Sequence, residues 1–492
     1  MKRCVLIVTA LMVILAPLCA SYAAETTFSG EYRARAWSEW NFDKKAGYLS
    51  PDDGGPLYTG FFDQRFRLTI THTRSEFLKA VIRFDLVEDV WGQQRNLRMN
   101  YSTNGSIIDL AYIDFKVPNL GTFTVGRFPE RYGNGLVFSP TDGTDGVRWT
   151  NKWDPVTVSV TYSKLRDYVD AGAASNWYNR DTNVWGLNLK VVPAEKQLIE
   201  LYGGVVTSDN ANWLLSRSRD WSGHTPTTNA NYIDSNLGFV GLAYTGNFAK
   251  MIDVKAEYSR VFGRANMNTY FMPARGGVAF FDDPTVEGWN LYLDASYYNE
   301  LFRVGLGFVM GSGGYHYWGP GQVRNINLNY IVDSDKFKWG NIIGSGTRGL
   351  ESLGDGALGT DNNIENLTSV KLYFSMTPME KLTVNAAVIW AKWTNPVGTN
   401  PFTGSFRNPA YRHPANDWGS ANYTYQSWEA SDDLGWEVDL GFSYEIMEGL
   451  TYTFCGGVLF TGDSFDYRDP VSGTREDWGP IWSISNTLMY KF

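Results

Sequence analysis

Apolar and polar side chains take turns one by one along most of this chain, and the runs in which they do so are joined by connections that are alternately short and long. Between Leu450 and Thr461 the even positions are Leu450, Tyr452, Phe454, Gly456, Val458 and Phe460, while the odd ones are Thr451, Thr453, Cys455, Gly457, Leu459 and Thr461. Successive residues of a β-strand point to opposite faces, so such a run is greasy on one side and small or polar on the other. The same pattern predicts eighteen strands, over 27–40, 61–73, 76–88, 106–117, 121–128, 145–153, 155–163, 182–192, 197–207, 234–246, 250–262, 286–298, 301–310, 366–376, 380–393, 433–445, 449–461 and 478–492. Their lengths suit the roughly 9 to 11 residues that a tilted strand needs to cross a bilayer, and exceed the roughly 5 to 6 typical of soluble sheets.

Every even strand is followed by a tight turn: Arg74-Ser75, Pro118-Asn119-Leu120, Asp154, Pro193 to Lys196, Asn247-Phe248-Ala249, Asn299-Glu300, Thr377-Pro378-Met379 and Met447-Glu448. Every odd strand is followed by a long segment, from 16 residues at 129–144 to 55 at 311–365. Short and long connections therefore collect at opposite ends, an asymmetry a soluble sandwich has no reason to show. In hydrocarbon every backbone amide must be paired, so a sheet crosses only by closing on itself without an edge. The expected fold is all-β: a transmembrane antiparallel up-and-down barrel of about 18 strands, with short periplasmic turns, long extracellular loops, a water-filled lumen and the bacterial outer membrane as its location. Trp37, Trp40, Trp289, Tyr297, Trp390, Trp393, Trp436, Tyr444, Trp482 and Tyr490, near strand ends, are expected in the interfacial girdles.

Composition closes off other classes. Hydrophobic residues are 43% and charged ones 19%, aromatics reach 15%, and there are 50 Gly. Beyond the first two dozen residues no apolar run approaches the roughly 18 of a membrane helix, and no helical stripe persists. At the N-terminus Lys2 and Arg3 precede an apolar stretch from Val5 to about Leu18, then small residues and Ser21-Tyr22-Ala23. This predicts a signal peptide over 1–23, cleaved after Ala23, and a single barrel domain over 24–492. Cys4 and Cys19 leave with it, so Cys455 remains alone, which excludes intrachain disulfides, cysteine-type metal sites and covalent haem attachment. The whole chain carries a formal net charge of −9 and loses two cations with the signal, so nucleic acid is not an expected partner.

The terminal segment Leu488-Met489-Tyr490-Lys491-Phe492 resembles the assembly signal of outer-membrane barrels. At the other end come Phe28-Ser29-Gly30-Glu31-Tyr32-Arg33-Ala34-Arg35, Gln64-Arg65-Phe66-Arg67-Leu68, Arg83-Phe84-Asp85 with Asp89-Val90-Trp91-Gly92, and Val125-Gly126-Arg127-Phe128 with Tyr132-Gly133. These look like the opening third of alginate-export-type porins, a resemblance confined to about residues 28–135. It implies an 18-stranded outer-membrane barrel and admits polysaccharide export among its tasks. Pro129 departs from it, standing where a Gln-containing segment is expected.

With the apolar faces toward lipid, strands one to three point Glu31, Arg33, Arg35, Arg65, Arg67, Lys79, Arg83 and Asp85 inward, six of the eight being basic. Side chains two apart lie about 6.6 Å from one another and neighbouring strands about 4.8 Å, so these groups form one patch. Arg33, Arg67 and Arg83 are expected at similar heights near mid-membrane. Across a ring of eighteen, strands ten to twelve contribute Asp253, Glu257 and Asp294, with Lys255 among them. A cationic wall facing an acidic one makes a transverse field that orients dipolar solutes and lets anions slide along the arginines. Alternatively the charges neutralise one another in ladders that stiffen the barrel, contributing about 0 to 1 kcal/mol per exposed pair. The preference for arginine over lysine fits bidentate recognition of carboxylate or phosphate.

Other features carry less. Asp142-Gly143-Thr144-Asp145-Gly146 reads as a turn rather than a cation site. Tyr315-His316-Tyr317-Trp318, and Trp418, Tyr423, Tyr425 and Trp428, suit either an inward constriction or loops resting on the rim. His72, His224, His316 and His413 are scattered without a nucleophile or metal partner at a recognisable spacing. The expected function is thus passive passage of polar, anionic solutes such as carboxylates or carbohydrates, with no cofactor, no metal and no enzyme activity. The rivals are a barrel that sleeves a periplasmic or luminal protein, such as a multi-haem cytochrome, and an outer-membrane enzyme such as a lipase.

Overall fold

The computed structural model describes residues 24–41, 58–91, 108–140, 143–166, 182–208, 233–267, 270–272, 277–279, 285–312, 325–327, 330–331, 339–344, 364, 366–394, 431–465, 467–468, 475–477 and 479–492. The signal peptide over 1–23, Asp142, Tyr315 to Trp318, the aromatics of 418–428, and His224, His316 and His413 lie outside the described residues. The strands are β1 Glu25–Trp40, β2 Tyr58–Ser75, β3 Leu78–Val90, β4 Ile108–Val117, β5 Gly121–Phe128 and β6 Thr144–Trp153. They continue as β7 Val156–Arg166, β8 Thr182–Val191, β9 Gln197–Ser208, β10 Ile233–Phe248, β11 Ile252–Met267 and β12 Thr285–Tyr298. The last six are β13 Phe302–Gly311, β14 Leu367–Met379, β15 Leu382–Trp393, β16 Asp433–Met447, β17 Leu450–Thr461 and β18 Ile481–Lys491.

Each strand pairs antiparallel with its neighbours in sequence, and β18 closes on β1 from Glu31 opposite Lys491 to Trp40 opposite Trp482. The eighteen expected strands are all present, and the eight expected turns link the same pairs. Several strands run longer than alternation predicts, β11 to Met267 rather than 262, because pairing continues past the point where apolar residues stop. Closure leaves the sheet no free edge, as hydrocarbon demands.

Outward positions carry the large exposed apolar residues, such as Leu187, Leu201, Leu242, Leu306, Leu372 and Leu440. Aromatics fringe this belt, with Phe302 stacked on Phe374 at 6.2 Å and tilted against Tyr297 at 6.0 Å near the short turns. Two expected girdle residues are not in it. Trp37 and Trp393 stand at odd positions of β1 and β15, face the lumen and are buried there, Trp37 donating its indole N–H to Asp63 at 3.0 Å. Proximity to a strand end suggested the interface, but parity decides the side of the wall.

Candidate functional site

The arginines of β1, β2 and β3 meet because they occupy the face opposite the belt. Arg33 lies in register with Arg65, Glu31 with Arg67 and Arg35 with Asp63. Two bulges then turn carboxylates toward them. The pairing slips between Phe66 and Arg67, leaving Leu86 over and setting Asp85 opposite Arg67. It slips again between Arg83 and Phe84, leaving Asp109 unpaired in the ladder and free to face inward beside Leu110.

A luminal ladder of ion pairs results. Arg35 grips Asp63 through Nε and Nη2 at 2.9 and 2.8 Å, with Arg33 3.9 Å from the same carboxylate. Arg65 pairs with Glu31. Arg67 reaches Asp85 at 3.1 Å and Asp109 at 3.4 Å, and Arg83 meets the same Asp109 oxygen at 3.2 Å. Lys79 binds Asp114 at 2.9 Å, where Thr124 also donates at 2.7 Å. Arg67 and Arg83, expected at one height, are thus joined through Asp109, while Arg33 belongs to the adjoining Asp63 cluster. The Arg67 side chain keeps 14% of its surface exposed, but Asp85 keeps none and Asp109 2%. The carboxylates lie behind the guanidinium groups, and stripping a cation from such buried acids costs about 3–5 kcal/mol.

The acidic residues expected across the lumen are engaged differently from one another. Asp253 pairs with Arg303 at 2.9 Å and accepts from Asn247 at 2.6 Å, and Asp294 accepts from the Tyr373 hydroxyl at 3.0 Å. Glu257 does not face the solute path as the transverse field requires. It is buried under the connection between β5 and β6, where it accepts from the Asn134 amide and from the Tyr202 hydroxyl at 2.6 Å. Glu200 takes the preceding Gly133 amide at 2.8 Å. Gly133 has φ +54°, and a Cβ there would come within 2.6 Å of a Glu257 oxygen, so only glycine fits between the loop and its anchor. Tyr132 stacks on Tyr202 at 5.6 Å and donates to Glu130 at 2.5 Å. Burial, helped by that carboxylate, holds its phenol well above the ordinary range, so it stays a donor.

A second carboxylate anchor holds the long connection between β13 and β14. Glu437 on β16, fully buried, accepts the backbone N–H groups of Asn341, Ile342 and Ile343 at 2.7 Å each. Lys371 on β14 donates to the Trp339 carbonyl. Trp339, Ile342 and Ile343 pack with Leu136 of the other connection against Val309, Ile389, Trp393, Leu459 and Ile481. The Ile331 amide donates to the Val137 carbonyl at 2.8 Å and ties the two connections together. The inward folding left open for the 311–365 segment is therefore realised at 330–331 and 339–344.

Two luminal cations escape the pattern of the first three strands. Arg148 on β6 lies over Phe128 at 4.8 Å and donates to the Pro129 carbonyl at 3.2 Å; Arg131, exposed on the inward connection, donates to the Asn134 carbonyl at 2.6 Å. Neither makes an ion pair among the described residues. Alternation along β6 gives the inward direction of Arg148, whereas Arg131 stands where no periodicity exists. Thr144, Asp145 and Gly146, expected in a turn, are instead the start of β6, where Asp145 faces outward to Arg127 across the ladder at 2.6 Å; His72 bonds Thr26 at 2.9 Å.

No protein-family model matches the chain, and no curated protein matches it, so the alginate-export-type resemblance rests on the opening third of the sequence alone. Among solved structures the chain is similar to OccK3 (OpdO) of Pseudomonas aeruginosa, with a TM-score of 0.47 and 11% identity, covering 95% of this chain and 96% of that one. It is similar to OccK11 (OpdR) of the same organism at 0.46 and 12%, over 95% and 96%. A third likeness is to Pseudomonas aeruginosa OccK2 (OpdF) in complex with glucuronate, at 0.46 and 11%, over 96% of each chain.

Proposed function

We propose that the chain, exported by the signal at 1–23, forms a passive channel in the bacterial outer membrane that favours small polar anions, with Arg33, Arg35, Arg65, Arg67 and Arg83 as its selective wall. What supports this reading is the order of charge around Arg67 and Arg83: Asp85 and Asp109 are packed behind, and the guanidinium groups stand in front. The described contacts of the two inward connections run from Ser163 on β7 through Tyr202, Glu257 and Lys371 to Ile481 on β18, which leaves the arginine side for a solute path. In water an ion contact at 4 Å is worth about 1 kcal/mol, and about 4 at an effective dielectric of 20, so the wall attracts without trapping. Arg131 and Arg148 extend the cationic surface toward the constriction, whereas Asp253, Glu257 and Asp294 brace the opposite side rather than bind solute. A protein-filled sleeve is disfavoured because the chain's own connections occupy lumen.

Reversal potentials in planar bilayers under a salt gradient test the proposal, with glucuronate as a carboxylate probe. The expected result is anion preference that weakens in Arg33→Ala and Arg67→Ala. Cation preference untouched by both substitutions refutes it, and negligible conductance of the purified protein points to the sleeve.

A further inference from the structure

The lipid-facing side of β11 carries two arginines where a membrane surface should be apolar or neutral. Arg260 and Arg264 stand at even positions with Ile252, Val254, Tyr258 and Phe262, all on the outward face, since Glu257, Ser259 and Val261 are buried inside. Arg260 lies about nine residues above the 249–251 turn. At a strand tilt of roughly 35–45° that is a height of roughly 21–24 Å, the upper edge of the ≈25 Å apolar band. In register beside it stand Val240 on β10 and Trp289 on β12, and below it exposed Leu242 and Leu293 continue the belt.

From this placement we infer that Arg260 and Arg264 form a binding site for the phosphorylated headgroup of an outer-leaflet glycolipid, whose acyl chains lie on Leu242, Tyr258 and Leu293. The inference rests on the outer-membrane reading and on the short turns being periplasmic. The chemistry is that of guanidinium and phosphate, which meet in a bidentate fork. Among the described residues Arg260 has one competitor, Glu287, at 3.9 Å with side chains 50% and 61% exposed, a contact too open to hold the guanidinium against a phosphate. Arg264 makes no ion pair among the described residues. The two positions are about 13 Å apart along the strand, so a headgroup with one phosphate engages one arginine and a headgroup with two spans both. Phe262, laid flat over Gly238, forms the floor between them. Neither arginine touches the luminal ladder, which separates this site from solute selection.

The test is binding of the detergent-purified chain to a bis-phosphorylated glycolipid, its mono-phosphorylated form and its dephosphorylated form. The variants are Arg260→Gln, Arg264→Gln, the double substitution and luminal Arg33→Ala. Each outward arginine should be worth about fivefold in affinity and the pair about 30-fold, from ~1 kcal/mol per cation near a charged membrane surface. Removing both phosphates from the lipid should abolish the difference between wild type and the double variant. Arg33→Ala should leave lipid binding unchanged. Equal affinity of wild type and double variant, equal binding of the dephosphorylated lipid, or a detergent-resistant oligomer that dissolves in the double variant overturns the proposal, the last in favour of contact between copies. Bilayer conductance measured in parallel separates the two readings: absent conductance with phosphate-dependent binding defeats the channel and keeps the site, and the converse defeats the site alone.

Discussion

Glu437 holds the β13–β14 connection inside the barrel, and Glu437→Gln perturbs that hold with almost no change in shape. The carboxylate accepts three backbone N–H groups at 2.7 Å, those of Asn341 and Ile342 on one oxygen and that of Ile343 on the other. A glutamine keeps one oxygen, turns an NH2 group toward the third donor and removes the charge from all three bonds. Charge-assisted bonds are worth about 1.5–3 kcal/mol and neutral ones about 0.5–1.5, so the substitution forfeits roughly 3–5 kcal/mol. Relief from the neighbouring Asp439, which also accepts from Asn341 at 3.2 Å, returns part of this and leaves about 2–4. Trp339, Ile342 and Ile343 still bury their side chains, each at about 1.5–3 kcal/mol, so the connection remains docked most of the time. Excursions into the open lumen should nonetheless rise by one to three orders of magnitude, since each ~1.4 kcal/mol is tenfold. Single-channel recording should show brief steps to higher conductance that are rare in wild type. Ile343→Ala, which weakens the same docking by about 2–4 kcal/mol without touching a charge, should produce the same steps. Traces from both variants indistinguishable from wild type, in protein that still folds as a barrel, would refute the role assigned to this anchor.

Arg67→Ala removes the ion pair of the buried Asp85 and leaves Asp109 to Arg83 alone, and should cost about 3–5 kcal/mol of stability, read as a lower unfolding midpoint, while shifting selectivity toward cations. Asp109→Asn acts in the opposite sense on selectivity: Arg67 and Arg83 lose a shared counter-charge, and the reversal potential should move toward stronger anion preference at some loss of stability. Gly133→Ala meets both a left-handed backbone, about 1–2 kcal/mol, and the Glu257 carboxylate, and should displace the β5–β6 connection, read as raised conductance with unchanged strand content. Because the ladder is lined with partly exposed charges, anion preference should fall as salt rises from 0.1 to 1 M, where the screening length drops from about 10 to about 3 Å.

The barrel is legible in the sequence because lipid and water impose a period of two on every strand, and because pairing order follows chain order. The inward direction of Arg33, Arg35, Arg65, Arg67 and Arg83 follows from the same parity. So does that of Asp63, which stands on the face of Arg65 and Arg67 and is readable as their partner. Asp109 is not, since a bulge turns it inward against the count, and a bulge costs the sequence only one residue. Glu257 shows the limit of parity: alternation gives its direction but not its cover, which comes from a connection without periodicity. The same holds for Glu437, whose three donors are main-chain groups that no side-chain pattern reveals.

The bulge at Asp109 leaves two guanidinium groups sharing one acid, and that arithmetic bears on traffic. A carboxylate arriving from solution finds each arginine of that wall already in an ion pair, so it enters as a third party, touching the guanidinium edge turned to the water while the acid behind keeps its hold. Movement along such a wall is a sequence of weak additions, each to a cation already half-neutralised from behind, which keeps residence brief however many arginines are passed.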